Sequence, residues 1–363
     1  MRRSSDKKIY IGTMSGTSYD GIDICSLNVA NQISLLKFSS FKYPTLLRED
    51  ISRAIQRQEL SLDRYFDLNK RIGQAFSKSI KKFLTQNKIN KKNVAAIGLS
   101  GQTLFHQPKN RYPFSIQAGD PKIIANECEI DVVSDFRNDH IKLGGEGAPL
   151  VPEFHQKLFA KRNTSLVILN IGGISNFTYL DGKSNFYGSD CGPGNALMDS
   201  YCQNFLNCPF DRNGKHAKNG VIHSHSLNKM LGHPFFKRRH PKSTGKEIFN
   251  MRFIPKQLLK KSSHDILATL TELTALCIAK SINSLKQTPQ QVIVCGGGLK
   301  NNFLVSSIEK HINMNLTSTN QYGINPQAIE AMAFGWMARQ RLNKIPLIIK
   351  KNKGLLGTLT KAR

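Results

Sequence analysis

The sequence predicts an α/β protein built as two lobes. Three observations carry this. Short apolar runs rich in β-branched residues recur along the chain, and four of them lead into glycine, at Gly12, Gly101, Gly172 and Gly296. Longer stretches with helical spacing lie between them. The 363 residues suffice for two packed cores. Ligands of α/β proteins bind beyond the carboxyl ends of strands. Two such loops from each half predict lobes facing each other across a nucleotide cleft.

The first half opens on residues 9–23. Ile9-Tyr10-Ile11 has the character of a buried strand. Gly12, Thr13, Ser15, Gly16, Thr17, Ser18 and Gly21 then form a loop that can bend tightly and turn N–H groups toward an anion. Their hydroxyls add donors. Asp20 and Asp23 supply carboxylates suited to Mg²⁺ held partly through water. The lysine of the common phosphate loop is missing, and no Gly-x-Gly-x-x-Gly follows, so a glycine-rich hairpin turn competes with this reading. Residues 22–29 and 33–41 continue as a meander. Residues 46–58 and 61–84 are helical, with Leu68, Ile72, Phe76, Ile80 and Phe83 on one side. Residues 94–100 are a buried strand entering Gly101-Gln102-Thr103, and His106 beyond it is a loop anchor rather than a catalytic group. A short strand at 130–133 leads to Asp135-Phe136-Arg137. The glycines and prolines of 143–152 mark the crossing between domains.

The second half repeats the pattern. A strand at 165–170 ends in Gly172-Gly173, and one at 186–188 runs into Ser189-Asp190-Cys191-Gly192-Pro193-Gly194-Asn195. Residues 196–206 are helical. Residues 211–219 are a polar loop, and 241–247 form a hydroxyl-rich turn bracketed by proline and glycine. A long amphipathic helix covers 266–285, a strand 292–295 ends in Gly296-Gly297-Gly298, and a last helix, 328–342, carries Glu330 near its start. The expected lobes are 1–132 with 327–363, and 133–326.

Composition narrows the class. No apolar run approaches the length needed to span a bilayer, and the basic N-terminus lacks the apolar segment of a secretion signal. The seven cysteines are odd in number, without zinc-ligand spacing, as in reduced cytoplasmic proteins. The net charge of +27 favours polyanions. Its lysines are scattered over 88–92, 237–246, 256–261 and 350–353 without interleaved aromatics, which describes a diffuse basic surface and no dedicated nucleic-acid site.

The strings Met14-Ser15-Gly16-Thr17-Ser18-x-Asp20-Gly21 and Asp190-x-Gly192-Pro193-Gly194-Asn195 make the chain resemble the anhydro-N-acetylmuramic acid kinases. Residues 101–108, 135–137, 144–152, 170–176, 241–247 and 296–298 follow in the same order, so the resemblance spans nearly the whole chain. It implies two RNase H-like lobes of the actin-like ATPase and sugar kinase fold. It implies a cytoplasmic enzyme, a homodimer, that uses ATP and Mg²⁺ to open the 1,6-anhydro ring of its substrate and phosphorylate O6 during cell-wall recycling.

The resemblance also assigns roles. The base that activates water maps onto Asp190; the competing role is capping the helix near Ala196. Gly16, Thr17, Ser18, Tyr19, Asp20, Gly21, Ile22 and Asp23 form the first nucleotide loop, with Asp20 or Asp23 reaching the metal through water. Gly172 and Gly173 form the second phosphate loop, and Gly296, Gly297 and Gly298 flank adenosine. Thr103 and Glu330 contact the sugar, although Glu330 also suits a helix start. Five departures stand out. Asp139 and His140 replace an arginine and an aspartate, Glu146 a glutamine, Ser100 a histidine and Cys191 a threonine. An aspartate for arginine reverses charge where an acidic substrate is expected. A kinase for another sugar, a polyphosphate-directed phosphatase on the same fold, and a silent polyanion-binding descendant are the alternatives.

Overall fold

The computed structural model describes residues 9–16, 19–30, 32–57, 59–245 and 247–363. The chain divides into two compact units, one running to Leu158 and resuming over Ala328–Arg363, the other Phe159–Gln327. Residues 133–158 therefore belong with the first unit, not with the second lobe as expected.

In the first unit the chain runs β1 (Ile9–Met14), β2 (Gly21–Val29), β3 (Ile33–Lys42), α1 (Thr45–Arg57), α2 (Leu62–Gln86), β4 (Val94–Gly98), β5 (Gln102–Gln107), β6 (Phe114–Ala118), α3 (Pro121–Cys128), β7 (Val132–Ser134), α4 (Phe136–Lys142) and α5 (Pro152–Phe159). The second unit follows with β8 (Leu166–Ile171), β9 (Ile174–Leu180), β10 (Phe186–Pro193), α6 (Ala196–Phe205), α7 (Ser224–Leu231), α8 (Pro234–Lys237), α9 (Ser263–Asn283), β11 (Gln291–Cys295), α10 (Asn302–Ile312) and β12 (Leu316–Ser318). The chain then returns to the first unit with α11 (Ile329–Leu342), β13 (Leu347–Ile349), β14 (Asn352–Gly354) and β15 (Thr358–Thr360).

The two sheets share one plan. In the first unit the order is β15-β7-β4-β1-β2-β3, with β1–β2 and β2–β3 antiparallel and β1–β4 and β4–β7 parallel. In the second it is β10-β9-β8-β11-β12, with β8–β9 and β9–β10 antiparallel and β8–β11 and β11–β12 parallel. A meander of three strands followed by two parallel ones, in the order 3-2-1-4-5, is the RNase H-like arrangement, and here it occurs twice. The expected fold class is what the chain adopts.

Alternation along β1 places the first unit's core. Ile11 joins Ile22, Ile24 and the α2 residues Ile72, Phe76, Ile80 and Phe83, all essentially without solvent exposure. On the next position Gly12 meets α11, where a Cβ would stand 1.8 Å from the Ala331 carbonyl oxygen. Gly98 on β4 does the same against Phe334, at 2.0 Å. Gly12 is thus not the loop glycine the sequence suggested: β1 runs on to Met14, and Gly12 lets a helix backbone lie on the sheet. Residues 133–158 stay with this unit because Phe136 packs edge-on against Phe334 and Phe154 packs on Trp336, both on α11.

In the second unit α9 departs from the amphipathic expectation. Leu267, Ala268, Thr269, Leu270, Leu273 and Ala279 are all buried, on every side of the helix, so it is an internal helix around which the unit packs. Ser262 caps its N-terminus, accepting from the Asp265 N–H at 3.1 Å. No helix among the described residues is long and apolar enough to cross a membrane.

Candidate active site

The first-unit loop is built on Ser15. Its hydroxyl donates to Gln102 Oε1 at 2.7 Å and accepts from the Tyr43 hydroxyl at 3.1 Å, while its N–H donates to Ser100 Oγ at 3.1 Å. Ser100 therefore fixes this turn. The Gly16 carbonyl accepts from the Tyr19 N–H at 3.1 Å and from Gln102 Nε2 at 3.3 Å, and Tyr19 itself is in the left-handed region. Thr17 and Ser18 lie outside the described residues. Asp20 is exposed. Gly21 begins β2 under the backbone of Phe41, where no Cβ fits. The Ile22 side chain belongs to the apolar core, 1% exposed, so its backbone is what it offers to a ligand. Asp23 accepts a hydrogen bond from Ser40.

Glu330 stands half-buried in the first turn of α11. Burial raises its pKa, Arg137 pulls it back down, and Asp23 pushes it up. Glu330, Arg137 and Asp23 thus share one neighbourhood. Arg137 donates from Nη1 to the Gly147 carbonyl at 2.8 Å, and its Nε is buried with no hydrogen-bond partner among the described residues. Thr103 donates to Gln117 Oε1 at 2.8 Å. His106 is on β5, not in a loop, and its Nδ1 meets Ser115 Oγ at 3.0 Å; burial takes it down to about 4. The two departures at 139 and 140 serve backbone. Asp139 Oδ2 accepts from the Gly357 N–H at 2.9 Å, and His140 Nδ1 accepts from the Gly147 N–H at 2.9 Å.

In the second unit Asp190 sits inside β10, opposite Asn176, next to a bulge between Asp190 and Gly192. It is 8% exposed. Its Oδ2 accepts from the Thr244 N–H at 2.8 Å, and its own N–H donates to the Lys242 carbonyl at 2.9 Å. It does not cap α6. The start of that helix is held instead by the glycine turn: the Asn195 N–H donates to the Gly172 carbonyl at 2.8 Å, and those of Gly194 and Ala196 to the Gly173 carbonyl at 2.9 and 3.0 Å. Gly194 must be glycine, since a Cβ would lie 2.2 Å from the Gly172 oxygen. Gly172, Gly173 and the Asp190 motif are therefore one piece of structure. Gly298 packs on Ile171, and Gly296, at φ +89°, sits beside Asn170, so the third glycine set lies at the end of the neighbouring strand. A Cβ on Gly297 would meet nothing within 4 Å, and one on Gly172 nothing nearer than 3.5 Å, which leaves open backbone for a ligand.

In each unit the open backbone and hydroxyls of these turns suit the phosphates of a nucleotide. Among the described residues no group of three or more His, Cys, Asp or Glu side chains is poised to hold a metal. Mg²⁺ commonly takes only one or two carboxylates and finds its other ligands in phosphate and water, which the carboxylates of Asp20 and Asp23 can serve. Sequence reasoning gave no role to Arg137, Ser189, His240, Lys242 or Thr244. The string Pro241-Lys242-Ser243-Thr244-Gly245 was visible, but its tie to Asp190 spans more than fifty residues.

The sequence model of a family described as anhydro-N-acetylmuramic acid kinase matches residues 8–360. The protein named anhydro-N-acetylmuramic acid kinase in Gamma-proteobacterium EBAC31A08 is 46% identical over 361 residues, covering 98% of this chain and 99% of that one. The protein of the same name in Hydrogenovibrio crunogenus is 38% identical, covering 96% and 95%. Among solved structures, the activator of 2-hydroxyisocaproyl-CoA dehydratase from Clostridium difficile with bound ADPNP is similar at 11% identity and a TM-score of 0.47, covering 94% and 99%. With its two duplicated sheets, its Asp190 motif intact and a match from residue 8 to residue 360, the chain belongs to the anhydro-N-acetylmuramic acid kinase family.

Proposed function

We propose that the chain carries out the reaction its family is named for. It hydrolyses the 1,6-anhydro ring of 1,6-anhydro-N-acetylmuramic acid and phosphorylates O6 from ATP, giving N-acetylmuramic acid 6-phosphate and ADP, in the recycling of cell-wall peptidoglycan. The observation that carries this is Asp190, a carboxylate with one oxygen tied to the Thr244 N–H. A carboxylate so held keeps its other oxygen directed and accepts a proton from water as that water bonds to the anomeric carbon. The C1–O6 bond breaks, and O6 takes the γ-phosphoryl group as ADP leaves. Phosphoryl transfer of this kind needs positioning and charge neutralisation more than covalent help.

In this reading Gly16, Thr17 and Ser18 face the β- and γ-phosphates, with Tyr19 through Asp23 completing the loop. Gly172 and Gly173 supply the second phosphate turn, and Gly296, Gly297 and Gly298 flank adenosine. Asp20 and Asp23 would hold Mg²⁺ through water, and the ion would neutralise phosphate charge. Thr103 and Glu330 contact the sugar, Glu330 with Arg137 beside it. The protein works in the cytoplasm, where its seven free thiols stay reduced, as a homodimer.

The test is incubation with Mg-ATP and the anhydrosugar in ¹⁸O-water, wild type beside Asp190→Asn, read by mass spectrometry. The expected product is a 6-phosphorylated sugar carrying the label, absent from the mutant. A phosphorylated sugar without label would mean that the ring is not opened by water and that the substrate is another sugar. Phosphate release without a phosphorylated sugar would replace the kinase by a phosphatase.

A further inference from the structure

β10 is the edge strand of the second unit's sheet, so nothing in the sheet holds its outer side. A strap of residues 240–244 does so instead. The Lys242 N–H donates to Ser189 Oγ at 2.9 Å, and the Lys242 carbonyl receives the Asp190 N–H at 2.9 Å. The Thr244 N–H reaches the Asp190 carboxylate at 2.8 Å. Ser189, one residue from Asp190, is fully buried and meets His240 Nδ1 at 2.6 Å. The His240 ring is edge-on to Phe177 on β9, with centroids 5.3 Å apart. The Lys242 ammonium turns away from solvent, 3.4 Å from the Phe235 carbonyl and 4.6 Å from the centre of the Phe235 ring.

We propose that Ser189 and His240 are positioning residues for Asp190: their hydrogen bond locks the strap whose Thr244 N–H aims the carboxylate. This rests on the reading of Asp190 as the base. The chemistry of the pair is consistent with a fixed lock. Burial, with the charge of Lys242 added, takes His240 down to about 4, so the ring is neutral near pH 7 and its Nδ1 pairs with the hydroxyl as donor or as acceptor according to the tautomer. Ser189 Oγ also receives the Lys242 N–H at 2.9 Å and lies 3.2 Å from the Lys242 carbonyl, and the contact with Nδ1 is the shortest of the three. Removing the hydroxyl leaves two groups, the Lys242 N–H and His240 Nδ1, without that partner. The carboxylate then loses a fixed direction and not its substrate. A misplacement of about 1 Å costs on the order of 100-fold in rate while binding contacts persist.

The experiment compares wild type, Ser189→Ala, Ser189→Thr, His240→Phe and Asp190→Asn, using Mg-ATP and 1,6-anhydro-N-acetylmuramic acid. Folded fraction is measured by circular dichroism for each. Ser189→Ala is expected to lower kcat per folded molecule by about 10- to 100-fold with both KM values within about two-fold. Ser189→Thr, which restores the hydroxyl, is expected to recover most of that loss. Wild-type kcat in Ser189→Ala, or a loss that disappears after correction for folded protein, overturns the proposal. If Ser189→Ala does not fold, His240→Phe carries the same expectation and the same refutation, because it keeps an aromatic ring against Phe177 and removes the ring nitrogens, Nδ1 among them. Asp190→Asn separates the two levels. If it stays active, or wild type gives no product, the reading of the site fails and the positioning role with it. If it is dead while Ser189→Ala and His240→Phe are fully active, only the positioning role fails.

Discussion

Gly12→Ala is the sharpest test of how the first unit is assembled. The new Cβ would stand 1.8 Å from the Ala331 oxygen and 2.8 Å from both the Ala331 carbonyl carbon and the Gly335 nitrogen. These are backbone atoms of a helix and cannot swing aside as a side-chain tip can. Ordinary contact begins near 3.4 Å, so α11 must retreat by roughly 1.5 Å. A gap of 0.5–1 Å already forfeits about a quarter to a half of a dispersion contact, and here the whole seam along β1 and β4 opens. Overpacking usually costs about 1–3 kcal/mol; an obstruction made of helix backbone is expected to cost about 4 kcal/mol. Two controls bracket it. Gly335→Ala has a side-chain tip, Leu27 at 2.4 Å, as its nearest obstacle, stays 3.1 Å or more from the Gly12 backbone and gains helix propensity, so about 1 kcal/mol is expected. Gly297→Ala meets nothing within 4 Å and is expected to stay within about 0.5 kcal/mol. Trp336, the single tryptophan, is buried on α11 and reports the transition in urea by its fluorescence. A Gly12→Ala protein within about 1 kcal/mol of wild type would refute the claim that this helix is seated backbone-on-backbone.

Three further outcomes are expected. Thr244 Oγ1 is buried without a partner among the described residues, so Thr244→Val should raise stability by about 1 kcal/mol, read as a higher melting temperature; a loss would mean the hydroxyl has a partner when the protein folds. Asp139→Ala removes the acceptor of the Gly357 N–H and should cost about 1–2 kcal/mol with KM for the sugar unchanged, whereas a changed KM would place the carboxylate at the substrate after all. His155, 1% exposed on α5, is taken by burial to about 3, so it is neutral when folded and protonates on unfolding below about 6.5. Its contribution is complete above pH 6.5 and is lost as pH falls toward 3, at up to about 1.4 kcal/mol per pH unit. Urea midpoints at pH 7 and 5 should show that fall, and His155→Gln should lessen it, His106, His140 and His240 supplying the rest.

What could be seen from sequence was what neighbours in the chain decide. The period of Leu68, Ile72, Phe76, Ile80 and Phe83 belongs to one helix face, and all five are buried on α2. The glycine turn after β8 follows from an apolar run meeting two glycines. What stayed hidden depends on partners far along the chain. Residues 189–193 have the composition of a loop, yet they are strand because β9 pairs with them across the bulge. Gly12 carries no local mark of α11, some 320 residues away. Asp139 reads as a reversed charge at a substrate site, yet one of its oxygens pairs with Lys142 and the other receives the Gly357 N–H, a partner 218 residues away. The short helices α3 and α10 carry plain caps in Asp120-Pro121 and in Asn301, but eight and eleven residues give little periodicity to read.

The first unit is assembled from both ends of the described chain, the second from one uninterrupted stretch. During synthesis this imposes an order. Residues 159–327 emerge together and can complete their own sheet and internal helix while β1, β2 and β4 still wait for α11. Until Ala331 and Gly335 leave the ribosome, the glycine-lined face of the first sheet has no cover, and its apolar strands are open to wrong partners. Contacts closed over so long a loop form late. Loss of the segment from Ala328 onward would therefore be felt first at β1, the other end of the chain, and would leave the intervening unit able to fold.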